Sequence, residues 1–115
     1  MFIKQERVET IEFDNLKIVD YTADHDMSSS IAEITVPVDA SHKVSWSRRS
    51  DKYYYIVKGN MTFTVNEQTC SLSAGDVCVV QKGERFSYAN MGPENAKLVL
   101  VHTPNFILEC EAFED

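Results

Sequence analysis

The chain has 115 residues, of which 43% are hydrophobic and 25% charged; residues 1–115 make room for a single domain and not for two. A formal net charge of −7 argues against a nucleic-acid partner, whose phosphates need a basic surface. No run approaches the roughly 18 apolar residues of a membrane span, and charges in the opening MFIKQERVETIEF interrupt the apolar core of a signal peptide, so a cytoplasmic protein with no membrane partner is expected.

From the N-terminus on, short runs rich in Val, Ile, Thr, Tyr and Phe alternate with polar, Gly or Pro punctuation. They predict strands over 8–13, 16–21, 31–36, 43–47, 52–57, 61–65, 68–72, 77–81, 85–88, 97–103 and 106–110. No long segment keeps a 3.6-residue apolar period, so no substantial helix is predicted. The alternation of residues 2–8 suggests a further strand that could add to a second copy of the chain. DHDMSSS, residues 24–30, reads as a polar surface loop. Lys58-Gly59 and Asn66-Glu67 read as hairpin turns, and the four glycines as corners. Cys70, Cys78 and Cys110 show no CxxC or Cys/His spacing and are expected to be small buried hydrophobes. The acidic tail after residue 107 is expected to be partly loose. So many short strands in one small chain imply an all-β sandwich or barrel.

Two glycine-anchored patterns sharpen this. SDKYYYIVKG, residues 50–59, ends in Gly59, and GDVCVVQKGERFSYAN, residues 75–90, carries Gly75, Gly83 and Asn90. In order and spacing these resemble the two motifs of the cupin family, and the resemblance covers residues 44–105. It implies the cupin double-stranded β-helix, a jelly-roll barrel of two antiparallel sheets, and a homodimer as the usual assembly. Cupins commonly hold a metal through histidines and a glutamate. On those positions this chain has Lys52 for the glutamate, Phe86 for a histidine, Gln81 for a proline, and either Ser45 and Ser47 or Trp46 and Arg48 for the histidine pair. Arg, Lys and Phe offer a metal no lone pair at neutral pH. No metal ligands and no cofactor are therefore assigned; His25, His42 and His102, the only histidines, lie far apart in sequence, and a site rebuilt on His102 and a carboxylate is conceivable.

Alternation sets the expected pocket. If Lys52 faces the interior, Tyr54 and Ile56 do too; if Phe86 does, so do Tyr88 and Asn90. Leu98, Leu100 and His102 share one face of their strand. Trp46, Arg48, Lys52, Tyr54, Phe86 and Tyr88 are the candidate ligand-binding residues, an aromatic lining with one or two cations. Such a lining suits a small organic anion or a sugar-like ligand. Phe86 also reads as a plug in the space of the missing metal. The leading expectation is metal-free binding of a small molecule, with catalysis unassigned. The alternatives are a metal-independent isomerase, epimerase or cyclase using His102 with Tyr54 or Tyr88 as an acid–base pair, a metalloenzyme with a rebuilt site, and a structural dimer with a filled barrel.

Overall fold

The computed structural model describes residues 1–114. In chain order its strands are β1 (Thr10–Phe13), β2 (Leu16–Asp20), β3 (Ser30–Val36), β4 (Ser41–Ser47), β5 (Asp51–Lys58), β6 (Asn60–Val65), β7 (Gln68–Ser73), β8 (Val77–Val80), β9 (Phe86–Ala89), β10 (Ala96–Thr103) and β11 (Glu111–Phe113). They form a six-stranded antiparallel sheet, β1-β2-β3-β10-β5-β8, facing a five-stranded one, β11-β4-β9-β6-β7. This is the expected all-β jelly roll, with no α-helix among the described residues. No helix among them is long and apolar enough to cross a membrane.

Alternation places the core. Along β3, β5 and β10 every second side chain is buried, so Ile34, Tyr54, Ile56, Leu98 and Leu100 meet Met61, Phe63, Phe86 and Tyr88 of the opposite sheet. Removing such side chains from water contributes about 1.5–3 kcal/mol each, which fixes the register, since a one-residue slip would expose the whole set. The tight turns come from residues that tolerate positive φ. Asn66 and Glu67, at 47° and 72°, join β6 to β7, and Asp14 and Asn15, at 51° and 64°, join β1 to β2, the two-residue geometry that matches strand twist. Gly59, at φ 86°, also packs so closely on β10 that an added Cβ would stand 2.9 Å from Ala96 Cα. The expected turns at Gly59 and at Asn66-Glu67 are both present.

The ends of the chain differ from expectation. Residues 2–8 form no strand: Gln5–Arg7 is a 3-10 turn, and Phe2 is fully exposed. Residues 106–110 form none either, because loop and side-chain groups satisfy their backbone. Phe106 N–H donates to Ser30 Oγ at 2.8 Å, and Cys110 N–H closes a turn on the Ile107 carbonyl at 3.0 Å. The strand lies one step later, at β11, where Glu111, Ala112 and Phe113 pair with Ser47, Trp46 and Ser45. Arg49 holds the approach, donating to the Asn105 carbonyl at 2.9 Å and to its Oδ1 at 2.6 Å. The tail through Phe113 is thus part of a sheet and not loose. The cysteines are less buried than expected: Cys70 is exposed, Cys78 and Cys110 half-buried, all three free.

Candidate functional site

Between the sheets lies a cavity of about 280 Å³. Its walls come from both sheets and from both ends of the chain. Ile18, Ile34 and Leu100 form an apolar side, Phe13, Phe106 and Phe113 an aromatic one, and Tyr54, Tyr88, His42, Lys52, His102 and Glu111 the polar part.

Three of these residues form one cluster. Lys52 and His102 are register partners on β5 and β10, and both are buried. The Lys52 ammonium donates to His102 Nε2 at 2.8 Å and to Glu111 Oε1 at 2.6 Å. The Lys52 and Glu111 side chains are 4% and 5% exposed. Glu111 reaches them because β11 pairs with the stretch of β4 whose Ser45 and Ser47 face inward. Burial lowers the Lys52 pKa from its ordinary value, while the charge of Glu111 and its hydrogen bond pull it back. The His102 pKa is pushed down to about 3, chiefly by burial and then by the Lys52 charge. His102 is therefore neutral, with its Nε2 lone pair committed to Lys52.

A second pair faces the same space. His42 and Tyr88 are register partners on β4 and β9, with ring centroids 5.0 Å apart. His42 Nδ1 lies 2.6 Å from the Lys43 carbonyl. A carbonyl only accepts, so Nδ1 carries the proton and Nε2 keeps a free lone pair. Burial lowers the His42 pKa, the Lys43 carbonyl opposes this, and the Lys52 charge adds to it. The Tyr88 hydroxyl is buried and has no hydrogen-bond partner. Burial raises its pKa strongly, so it stays protonated and available to donate. An orphan buried hydroxyl in a cavity wall leaves a place for a ligand atom.

The inward position of His42 depends on an irregularity. Along β4 the pairing with β9 shifts register between His42 and Ser45, the signature of a β-bulge. In regular alternation His42 would face the same way as Val44 and Trp46; the extra residue turns it inward with Ser45. The bulge also frees the Lys43 backbone, whose carbonyl accepts the His42 Nδ1–H hydrogen bond and whose N–H donates to Asp14 Oδ2 at 3.2 Å.

The expected site residues divide accordingly. Lys52, Tyr54, Tyr88 and His102 line the cavity. Tyr54 is buried against the rings of Phe63, Phe86 and Tyr88, and burial raises its pKa well above the ordinary value. Phe86 is buried behind the cavity with its ring 5.5 Å from Lys52 Nζ, which fits the plug. Trp46 and Arg48 are corrected: the inward residues of that stretch are Ser45 and Ser47, Trp46 stacks under the Arg85 guanidinium at 3.9 Å, and Arg48 is exposed. His42 and Glu111 belong to the cavity and were not among the candidates.

The family's metal does not fit these residues. His102 Nε2 and Glu111 Oε1 converge, but on the Lys52 ammonium, and Ser45, Ser47 and Phe86 supply no replacement for the usual imidazoles. No three His, Cys, Asp or Glu among the described residues group as metal ligands.

The family model described as "Cupin domain" matches residues 32–102. Among solved structures, the chain is similar to Pac13 of Streptomyces, described as a unique nucleoside dehydratase, with TM-score 0.87 and 21% identity over 99% of this chain and 90% of that one. Three structures of that protein, one with a histidine changed to glutamine and two with a tyrosine changed to phenylalanine, are described as with uridine. An RmlC-like cupin from Shewanella frigidimarina is similar at TM-score 0.77 and 19% identity, over 90% of this chain and 89% of that one. Among curated proteins no sequence matches.

Proposed function

We propose that this chain, which belongs to the cupin domain family, is a metal-independent lyase that removes water from a small sugar-containing molecule of the nucleoside class. The observation that carries the reading is the His42–Tyr88 pair: a neutral imidazole with a free Nε2 beside an unpartnered hydroxyl, both in the wall of one cavity. Base and acid side by side are what an elimination requires. His42 Nε2 takes a proton from carbon while Tyr88 donates one to the hydroxyl on the adjacent carbon. The C–H and C–O bonds break, a C=C bond forms and water leaves. Proton return from His42 to the Tyr88 oxygen then resets the pair.

A buried imidazole of lowered pKa is a modest base, so the C–H it attacks must be acidified by a neighbouring carbonyl. The apolar and aromatic walls exclude water and suit a ring, as in a nucleoside or a sugar. The likeness to a nucleoside dehydratase supports this ligand class. It also favours the sugar-like ligand over the organic anion, because Lys52 already has a carboxylate partner. His102, the base first expected, is the weaker choice because its lone pair is held by Lys52.

The test is incubation with nucleosides and sugars oxidised to the carbonyl level, in deuterated water, followed by mass spectrometry. Loss of one water, abolished by His42→Gln and by Tyr88→Phe, is expected. Deuterium uptake without water loss would assign the isomerase or epimerase chemistry instead. Full turnover by His42→Gln would remove the mechanism.

A further inference from the structure

The cavity's charges bear on which form of such a ligand it takes. Its one cation is Lys52, whose Nζ lies 2.6 Å from Glu111 Oε1, both side chains buried. At that separation in a water-poor interior the two charges cancel for anything farther away. The remaining ionisable groups in the wall add no positive charge. His42 and His102 are neutral, with pKa values lowered by burial. Asp20 of β2 shares its strand face with the buried Leu16, and Glu12, a register partner of Lys17, also lines the cavity; both are acidic. Neither nearby arginine reaches the cavity: Arg48 is exposed, and Arg49 is held by Asn105. Lys43, 5.5 and 5.7 Å from the Phe13 and Phe113 rings, is exposed to solvent and faces Asp14 Oδ1 at 3.9 Å. Neither of the two 3-10 turns is long enough to present a helix N-terminus to a phosphate.

A phosphate ester would thus enter a site with no unpaired cation, on a chain of net charge −7. The polar groups left free are a hydroxyl, an imidazole nitrogen and a carboxylate, which suit hydroxyl groups. Resting on the nucleoside reading above, we infer that the cavity selects the uncharged nucleoside or sugar and rejects its phosphate ester, and that the Lys52–Glu111 pair sets this selectivity.

Calorimetric titration of the purified chain with a panel of uridine, ribose, the monophosphate of each and inorganic phosphate tests this. Uridine should bind, its monophosphate about tenfold or more weakly at low salt, and phosphate should not compete. Glu111→Gln leaves Lys52 unpaired and should bring the monophosphate to within about threefold of uridine. Where that variant fails to fold, Asp20→Asn, which removes one repulsive charge, should narrow the same ratio. Equal affinity of the native chain for uridine and its monophosphate overturns the charge selection and leaves the nucleoside reading standing. No uridine binding, with free sugars bound and their phosphates refused, removes the nucleoside reading and supports the charge selection. No binding of any uncharged member of the panel overturns both.

Discussion

His42 and Tyr88 stand opposite each other on β4 and β9, rings 5.0 Å apart, and they share a face because one extra residue interrupts the ladder beside them. His42→Ala should keep this ladder and remove the imidazole from the cavity wall. The variant is expected to keep its β-sheet circular dichroism and lose ligand-induced thermal stabilisation by uridine. Undiminished stabilisation would show that His42 is dispensable for binding.

Lys52 holds two buried partners, so its loss should be expensive. Lys52→Met leaves the Glu111 carboxylate unpaired in the interior and is expected to cost about 3–5 kcal/mol in urea unfolding. Lys52→Met combined with Glu111→Leu should recover most of that, because replacing both charges by apolar groups removes the desolvation cost. A cost of Lys52→Met below about 1 kcal/mol would mean the carboxylate finds water instead.

The same position offers a gain of function. Lys52→Glu puts a carboxylate between His102 and Glu111 in place of the ammonium. Elemental mass spectrometry should then find zinc or manganese in the variant at several times the native level, and the metal should raise its melting temperature. Equal metal content in the two proteins would show that Lys52 is not what closes the site.

Stability should fall in mild acid. The His102 pKa, about 3 in the folded chain, lies below its ordinary value of 6.5, and that of His42 is lowered in the same direction. The unfolded chain therefore binds more protons below pH 6.5. The histidine contribution is complete above that pH and is lost as pH falls toward the folded values, by up to about 1.4 kcal/mol per pH unit for each histidine. Asp20, its pKa raised by burial, opposes the trend at the lowest pH. Calorimetric melts should fall steadily from pH 7 to pH 5; a flat profile would place the histidines in contact with water.

The outer face of the six-stranded sheet carries two cross-strand rows: Ile31, Val101, Tyr53 and Val79, and beside it Glu33, Val99, Tyr55 and Val77. Five of these hydrophobic side chains are more than 40% exposed, and the one charge, Glu33, is met by Lys97 at 3.6 Å. A second copy is the proposed occupant, since two acidic chains can meet there without opposing charges. Light scattering should give a dimer for the native chain and a monomer for Val77→Asp. A native monomer at micromolar concentration would remove the proposal.

Much of this was legible in the sequence, for physical reasons. Side chains two apart share a face, so placing Lys52 inward carried Tyr54 and Ile56 with it, and Phe86 carried Tyr88. The two residues missed escaped for separate reasons. His42 needed the bulge, which breaks the parity rule and leaves no mark in residue type. Glu111 sits in an acidic stretch that reads as solvated, and its burial comes from a distant ammonium that balances it. Trp46 and Arg48 were misplaced because the family spacing allowed two alignments, and only the buried Ser45 and Ser47 decide between them.

The cavity also divides along the chain. Residues 32–102, the span matched by the family model, contain His42, Lys52, Tyr54, Tyr88 and His102, whereas Ile11, Phe13, Ile18, Phe106 and Phe113 lie in the flanks. The acid–base pair thus lies within the family span, while the aromatic enclosure, and the Glu111 that holds Lys52, come from the flanks. A gene of this design can acquire a new substrate by exchanging its two ends around a retained Glu111; grafting such flanks from one barrel onto another is the corresponding engineering route.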